Sequence, residues 1–220
     1  METKKIEVII KDLTQVFFEA GDLSIELRNK GLTKNVKKDN TPVTNGDIEV
    51  NKIILNNLKK ISPSIPIVSE ETSENKNLDL NTFWLVDPID GTYDYINNRD
   101  EFTLNAGLII NKVAVAGIIY APAKKRMFYS YGNNISYELN NSNEKVLNNK
   151  NIDKNNIRAV SYSNNLKPEI IEIHKKLKVK EYVKMKSSLK FCVIAAGEFH
   201  IYAAEPRANE WDIAAGHAIL

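Results

Sequence analysis

The sequence predicts an α/β fold of layered helices and sheets, and three features of its patterning carry that prediction. Amphipathic helical repeats fill most of the first sixty residues, short apolar runs rich in β-branched residues follow, and hairpin-type turns join several of those runs. Strands that meet through hairpins and are interspersed with helices suit a layered α/β sandwich better than a purely parallel, doubly wound sheet. With 220 residues, 43% of them hydrophobic, the chain can bury one sizeable core or two lobes.

From about Lys4 to Asn29, the residues Val8, Ile9, Leu13, Val16, Phe17, Ala20, Leu23 and Leu27 recur near helical spacing, and Gly31 is a stop signal. "NTPVTNGD" breaks the pattern at Pro42. Thr44 and Asp47, three apart, then form a capping-box signature ahead of Ile48, Ile53, Ile54, Leu58 and Ile61, so a second helix is expected there. Pro63 and Pro66 end it. "PIVS" reads as a short buried strand with Glu70 and Glu71 at its end, and "FWLVD" as another that terminates at Asp87. Phe102 to Ile110 and Val113 to Ala121 flank Asn111-Lys112 as a hairpin, and "MFYSY" and "ISYEL" continue the strands. The Asn- and Lys-rich interval from Asn140 to Asn156 is expected to be a loop or lobe boundary, with an N-terminal α+β lobe over 1–150 and a C-terminal α/β lobe over 151–220. Beyond it, "IRAVSYS" reads as a strand, Pro168 to Leu177 as a short helix, Ser187 to Gly197 as an apolar helix, "FHIYAA" as a strand, and Trp211 to Leu220 as the start of a last helix.

Thirty basic side chains balance 28 acidic ones, so no large single-sign field recommends a nucleic-acid polymer or an anionic membrane as partner. Cys192 is the single cysteine, which excludes an internal disulfide, and its setting in "SLKFCVIAAG" is that of a packed apolar thiol rather than a nucleophile. The opening "METKKIEVII" has no signal-peptide pattern and no long apolar stretch follows, so a cytoplasmic protein without a transmembrane segment is expected. His174, His200 and His217 form no transition-metal pair, and structural roles are expected for them.

Acids stand at the ends of hydrophobic elements: Asp47 at a helix start, Glu70 after a strand, Asp87 and Asp90 after another, and Asp212 at the start of the last helix. If the two strands are neighbours, Glu70, Asp87 and Asp90 converge at one rim, where like charges repel unless protons or cations neutralise them. Hard oxygen ligands select Mg²⁺ or a similar ion. Within "DPIDGT", Pro88 stiffens the turn so that both aspartates can face one point, and Gly91 lets backbone approach a ligand closely. If a helix follows, the amides of Gly91 and Thr92 become a phosphate cradle. Metal-binding acids beside an anion cradle meet the needs of metal-assisted phosphoester hydrolysis. Taken singly, Asp-Pro and Asp-Gly are turn signals and Asp47 and Asp212 are helix caps; the assembled set outweighs that reading.

"PVTNGD", "SEE", "WLVDPIDGT" and "EWDIAAGHA", in this order, resemble the metal-site signatures of the inositol monophosphatase superfamily, the lithium-sensitive, magnesium-dependent phosphatases. Within it, "EFTLN", "GIIYAP" and "SSLKFC" are most similar to the bacterial 3′(2′),5′-bisphosphate nucleotidases. The resemblance implies an αβαβα sandwich and hydrolysis of adenosine 3′,5′-bisphosphate to AMP and phosphate by metal-activated water, without a phosphoenzyme. It implies two or three Mg²⁺ ions held by Glu70, Asp87, Asp90, the Ile89 carbonyl and Asp212. Asp47 and Thr92, with Glu70, would activate the attacking water; Gly91 and Thr92 would hold the phosphate, with Asp212 beside the substrate. Ser187 and Lys190, one helical turn apart, are the best candidate contacts to a distal phosphate or sugar.

The chain departs from the nucleotidase pattern where the substrate would be recognised. Tyr93-Asp94-Tyr95 follows Gly91-Thr92 where those enzymes read "GTKEF", Ser161-Tyr162-Ser163-Asn164 replaces "SRSH", and Ala203-Ala204 stands where an arginine is expected after Tyr202, with Arg207 three residues further on. An inositol or sugar phosphate is therefore the alternative substrate. The chain also stops at Leu220, inside the helix that Asp212 begins, so the resemblance implies a fold truncated at the C-terminus and an incomplete second lobe. A sheet edge left open in that way would pair with another chain, as in a homodimer. From a different class, a metal-binding remnant without turnover is the further alternative.

Overall fold

Capping chemistry sets the first two helices of the computed structural model, which describes residues 2–38, 40–72, 80–140, 143–147 and 152–220. Helix α1 (Thr3–Lys30) stops at Gly31, whose φ of 100° few side chains tolerate and whose N–H reaches the Arg28 carbonyl. Helix α2 (Asn45–Ile61) opens on the expected capping box: Thr44 Oγ1 accepts from the Gly46 and Asp47 amides, and Asp47 Oδ2 accepts from the Thr44 amide at 2.7 Å. Between them, β1 (Lys34–Val36) and β2 (Pro42–Thr44) pair antiparallel.

Seven strands then build one sheet in chain order: β3 (Ile67–Ser69), β4 (Thr82–Asp90), β5 (Thr103–Ile110), β6 (Val113–Ala121), β7 (Arg126–Ser130), β8 (Ser136–Asn140) and β9 (Asn143–Val146). β3 and β4 run parallel and every other neighbouring pair antiparallel. The β5–β6 turn is the expected one, with Asn111 and Lys112 both at positive φ. A short helix, α3 (Thr92–Ile96), follows β4. A second, all-parallel sheet has the order β11 (Val179–Lys184), β10 (Ile157–Ser161), β12 (Ile201–Tyr202), and α4 (Pro168–Lys176), α5 (Leu189–Ala195) and α6 (Glu210–Ile219) complete the fold.

Several details differ from the sequence reading: the helix expected from Ser187 begins at Leu189, with Ser187 outside it at φ 54°, so Ser187 and Lys190 are not a turn apart on one helix, and the β1–β2 pair had no strand signal. β4 does not stop at Asp87 but continues through Pro88 to Asp90. The polar interval after Asn140 carries the exposed edge strand β9; residues 141–142 and 148–151 of that interval lie outside the described residues. β11, "VKEYVK", is almost wholly exposed, so it has no apolar run by which to be recognised.

The central sheet is buried on both faces, which is why its strands read as continuous apolar runs. Alternation along β4 to β7 sends Trp84, Val86, Leu108, Ile118, Tyr120, Met127 and Tyr129 into a core with α1 and α2. Leu85, Ile109, Ile119, Ala121 and Phe128 point to the opposite face, toward α5 and α6. Val160 of β10 joins that second core, so the layers run helices, large sheet, helices, small sheet, with α4 beside β11.

Two glycines fix how closely α6 lies on the sheet. A Cβ on Gly107 would sit 2.8 Å from Ala214 Cβ, and one on Gly117 would sit 2.6 Å from the Ala215 carbonyl oxygen. On the other side of α6, Gly216 leaves room for the Phe191 ring of α5. Among the described residues no helix is long and apolar enough to cross a membrane. Gly117→Val should lower stability by about 1–3 kcal/mol in urea unfolding, because the helix backbone cannot yield as a side chain would. Val113→Thr, on the exposed start of the same strand, should change it by less than about 0.5 kcal/mol.

Candidate active site

Asp87 and Asp90 are three apart, a spacing that a regular strand would split between its two faces. The β4–β5 ladder pairs Asp87 with Asn105 and Asp90 with Thr103, so β4 spends two residues, Pro88 and Ile89, where β5 spends one. This is a bulge at a position where proline has no N–H to give the ladder. It buries Ile89 in the α1–α2 core and leaves both acids on the α6 face. The N-terminus of α6 delivers the third. Ligand oxygens of Asp87, Asp90 and Asp212 all lie within 4.8 Å of one another.

Asp212 is also the N3 residue of a capping box, accepting from the Asn209 amide at 2.8 Å. Ser188 ties the elements together: its hydroxyl lies 2.6 Å from Asp90 Oδ2 and 2.9 Å from the Asp212 carbonyl. Burial, with the charges of Asp90, Glu70 and Asp212, drives the Asp87 carboxyl well above its ordinary pKa. Burial also raises Asp90, against the opposing charge of Lys190 and the Ser188 bonds. Asp212 is pushed up to about 6, by burial first and then by Asp90. At about 4 Å and an effective dielectric of about 20, two carboxylates repel by about 4 kcal/mol. The cluster thus favours protons or a cation.

The polar atoms around it suit a cation. Asp87 Oδ1 and Thr103 Oγ1 are buried with no hydrogen-bond partner among the described residues. An oxygen-ligated ion with its waters fits such a set.

Glu70 stands at the end of β3, its amide donating to the Val86 carbonyl at 3.0 Å, close enough to raise Asp87. Its carboxylate is engaged by Lys37 Nζ at 2.7 Å, which also reaches Glu71 at 2.7 Å. Burial pushes Glu71 up to about 7 even so. Asp47 is 1% exposed. Its Oδ2 serves the Thr44 cap, while Oδ1 accepts from Thr92 Oγ1 at 3.1 Å. Thr92 Oγ1 also lies 3.1 Å from the Ile89 carbonyl, which the bulge frees from the ladder. Burial raises the Asp47 carboxyl against the Thr44 and Thr92 hydrogen bonds. Gly91 is left-handed, with φ 94°, and a Cβ there would come within 2.8 Å of the Glu101 carbonyl.

A cavity of about 790 Å³ opens from Asp90, Gly91 and Asp212 past Ser187 and Lys190 to Tyr162 and Arg207. Lys190 Nζ donates to the Ser187 carbonyl and lies 5.2 Å from the Tyr202 ring centroid. Burial lowers its pKa, opposed by Asp90 and Asp212. The Arg207 guanidinium rests 4.5 Å from the Tyr162 ring centroid. The neighbouring acid, Glu205, is already engaged by the Tyr162 hydroxyl at 2.7 and 2.8 Å and by Lys167 at 3.2 Å. At Tyr93, where the nucleotidase pattern has lysine, the Lys186 ammonium lies 4.8 Å from the phenol ring centroid, and Lys186 also lines the cavity.

Every acid singled out in the sequence thus lies at or around one site. Lys37, Ser188 and Lys186 escaped sequence reasoning: a lysine in a hairpin and a serine beside a helix carry no signal until the fold shows what they face. Cys192 is fully buried, and His200 Nδ1 accepts from the Arg158 amide, both structural as expected. His217 lines the cavity without joining the acids.

The chain is 37% identical over 217 residues to the 3′(2′),5′-bisphosphate nucleotidase CysQ of Buchnera aphidicola, with 96% of this chain and 81% of the relative covered. It is 32% identical to CysQ of Salmonella typhimurium, covering 96% and 86%. The crystal structure of CysQ from Bacteroides thetaiotaomicron matches with a TM-score of 0.75 at 28% identity, over 93% of this chain and 82% of that one. Staphylococcus aureus inositol monophosphatase-II shares the fold, with a TM-score of 0.77, 23% identity and coverage of 97% and 78%. A model of the inositol monophosphatase family matches residues 5–220, and the chain belongs to that family.

Proposed function

We propose that the chain is a magnesium-dependent phosphomonoesterase that removes the 3′-phosphate of adenosine 3′,5′-bisphosphate, leaving AMP and phosphate. The observation that carries this reading is the convergence of buried Asp87 with Asp90 and Asp212, the latter two lining a cavity that Lys186, Lys190 and Arg207 also line. The clustered acids suit a metal; the cations suit a substrate with more than one anionic group. The nucleotidase names of the relatives support the same substrate.

Two or three Mg²⁺ ions, when bound, supply neutralising charge for the phosphate and lower the pKa of the attacking water. Asp87, Asp90, Asp212, Glu70 and the Ile89 carbonyl would hold them. Glu70, now ion-paired with Lys37, would give up that pair to join them. Thr92 donates its hydroxyl hydrogen bond to Asp47 Oδ1, which leaves its oxygen lone pairs to accept from the attacking water. Asp47, with a raised pKa in a buried site, receives the proton that the water loses. The Gly91 and Thr92 amides hold the phosphate at the turn into α3, and Ser187 and Lys190 stand toward the rest of the nucleotide.

Purified protein supplied with Mg²⁺ should release phosphate from adenosine 3′,5′-bisphosphate in preference to inositol 1-phosphate or sugar phosphates, and chelation should stop it. Turnover that survives Asp90→Asn would sink the reading. Arg207→Ala should raise KM for the bisphosphate by about 10- to 100-fold, as the loss of one charge-assisted contact predicts, with little change for adenosine 3′-monophosphate. In metal-free protein, Asp212 contributes stability that is full below the ordinary aspartate pKa and is lost as pH rises through about 6. Asp212→Asn should therefore flatten that part of the pH–melting profile measured in chelator.

A further inference from the structure

Asn105 stands directly opposite Asp87 in the β4–β5 ladder and is 1% exposed. Neither its Oδ1 nor its Nδ2 has a hydrogen-bond partner among the described residues. Opposed residues of an antiparallel pair share a face with Cβ atoms about 4.5–5.5 Å apart, so the amide lies beside the Asp87 carboxylate. Its neighbour across the other ladder is the buried, apolar Ile119. Two residues further along β5, Gly107 is in contact with Ala214 of α6, which closes the face from above. Polar company exists toward the acids, where Asp87 Oδ1 and Thr103 Oγ1 are likewise without partners.

A buried amide with nothing to bond destabilises a fold, and water held at a polar site offsets that cost. We propose that Asn105 is a positioning residue of the metal site, whose amide bonds water carried by the cation held among Asp87, Asp90 and Asp212. The inference rests on the reading of those three acids as a metal site. An apolar side chain at 105 then has opposite effects in the two states: it removes unpaired polar atoms from the metal-free protein and removes a partner from the metal-bound one.

The test titrates the wild type, Asn105→Leu and Asn105→Ala with Mn²⁺ by calorimetry and melts each in EDTA. Mn²⁺ binding should weaken by about tenfold or more in both variants, the usual effect of losing an outer-shell partner. Asn105→Leu should melt in EDTA no lower than the wild type; Asn105→Ala, which adds no volume, carries the affinity measurement if the leucine variant does not fold. Affinity within about twofold of the wild type overturns the role, well short of the usual effect. So does weakened binding matched in both variants by a lower metal-free melting temperature. Wild-type protein that binds no Mn²⁺ would overturn the metal reading itself and this role with it.

Discussion

A helix can lie directly on a sheet only where the sheet withholds its side chains, and Gly107 and Gly117 provide that place for α6. The contact is backbone to backbone, with Ala214 and Ala215 on the helix side, so few rotamers intervene between the sheet and the N-terminus of α6. Asp212 is carried on that N-terminus, and Asp87 and Asp90 on the sheet beneath it. The distance between them is therefore set by the closeness of two backbones. Phe191, filling the space beside Gly216, holds α6 from the other side.

The same economy appears in the acids. Asp47 and Asp212 are both N3 residues of capping boxes, and a cap alone would account for either. Each engages a backbone amide through one oxygen, which fixes the carboxylate before any ligand arrives. For Asp47 the second oxygen is already committed to Thr92, so the helix start and the hydroxyl beside the bulge are linked by one side chain. Structural and chemical roles do not compete here, because a carboxylate has two oxygens to give.

Much of this was legible in the sequence. The two helices announced themselves through period and caps, the strands through apolar runs, and the acids through their places at element ends. Pro88 was visible as a stiffener, but the bulge across Pro88 and Ile89 was not, because the extra residue is defined by what β5 spends opposite it. β11 and β9 were missed because exposed, charged strands have no buried face to mark them. Lys37, Ser188 and the reach of Arg207 depend on segments distant in sequence, which local pattern does not encode. Family resemblance supplied the order of the acids; only the fold supplies the side-chain contacts that arrange them.

The helix that carries Asp212 has a second side. Ile213 and His217 of the helix, with Leu220 just past its end, line the cavity, away from the glycine contacts. Those positions can change size or charge without shifting Asp212, because the sheet holds the helix by its alanines. Asp212 lines the same cavity, so one short helix, pinned to the sheet through its alanines, presents to that space both an acid of the cluster and the side chains beside it.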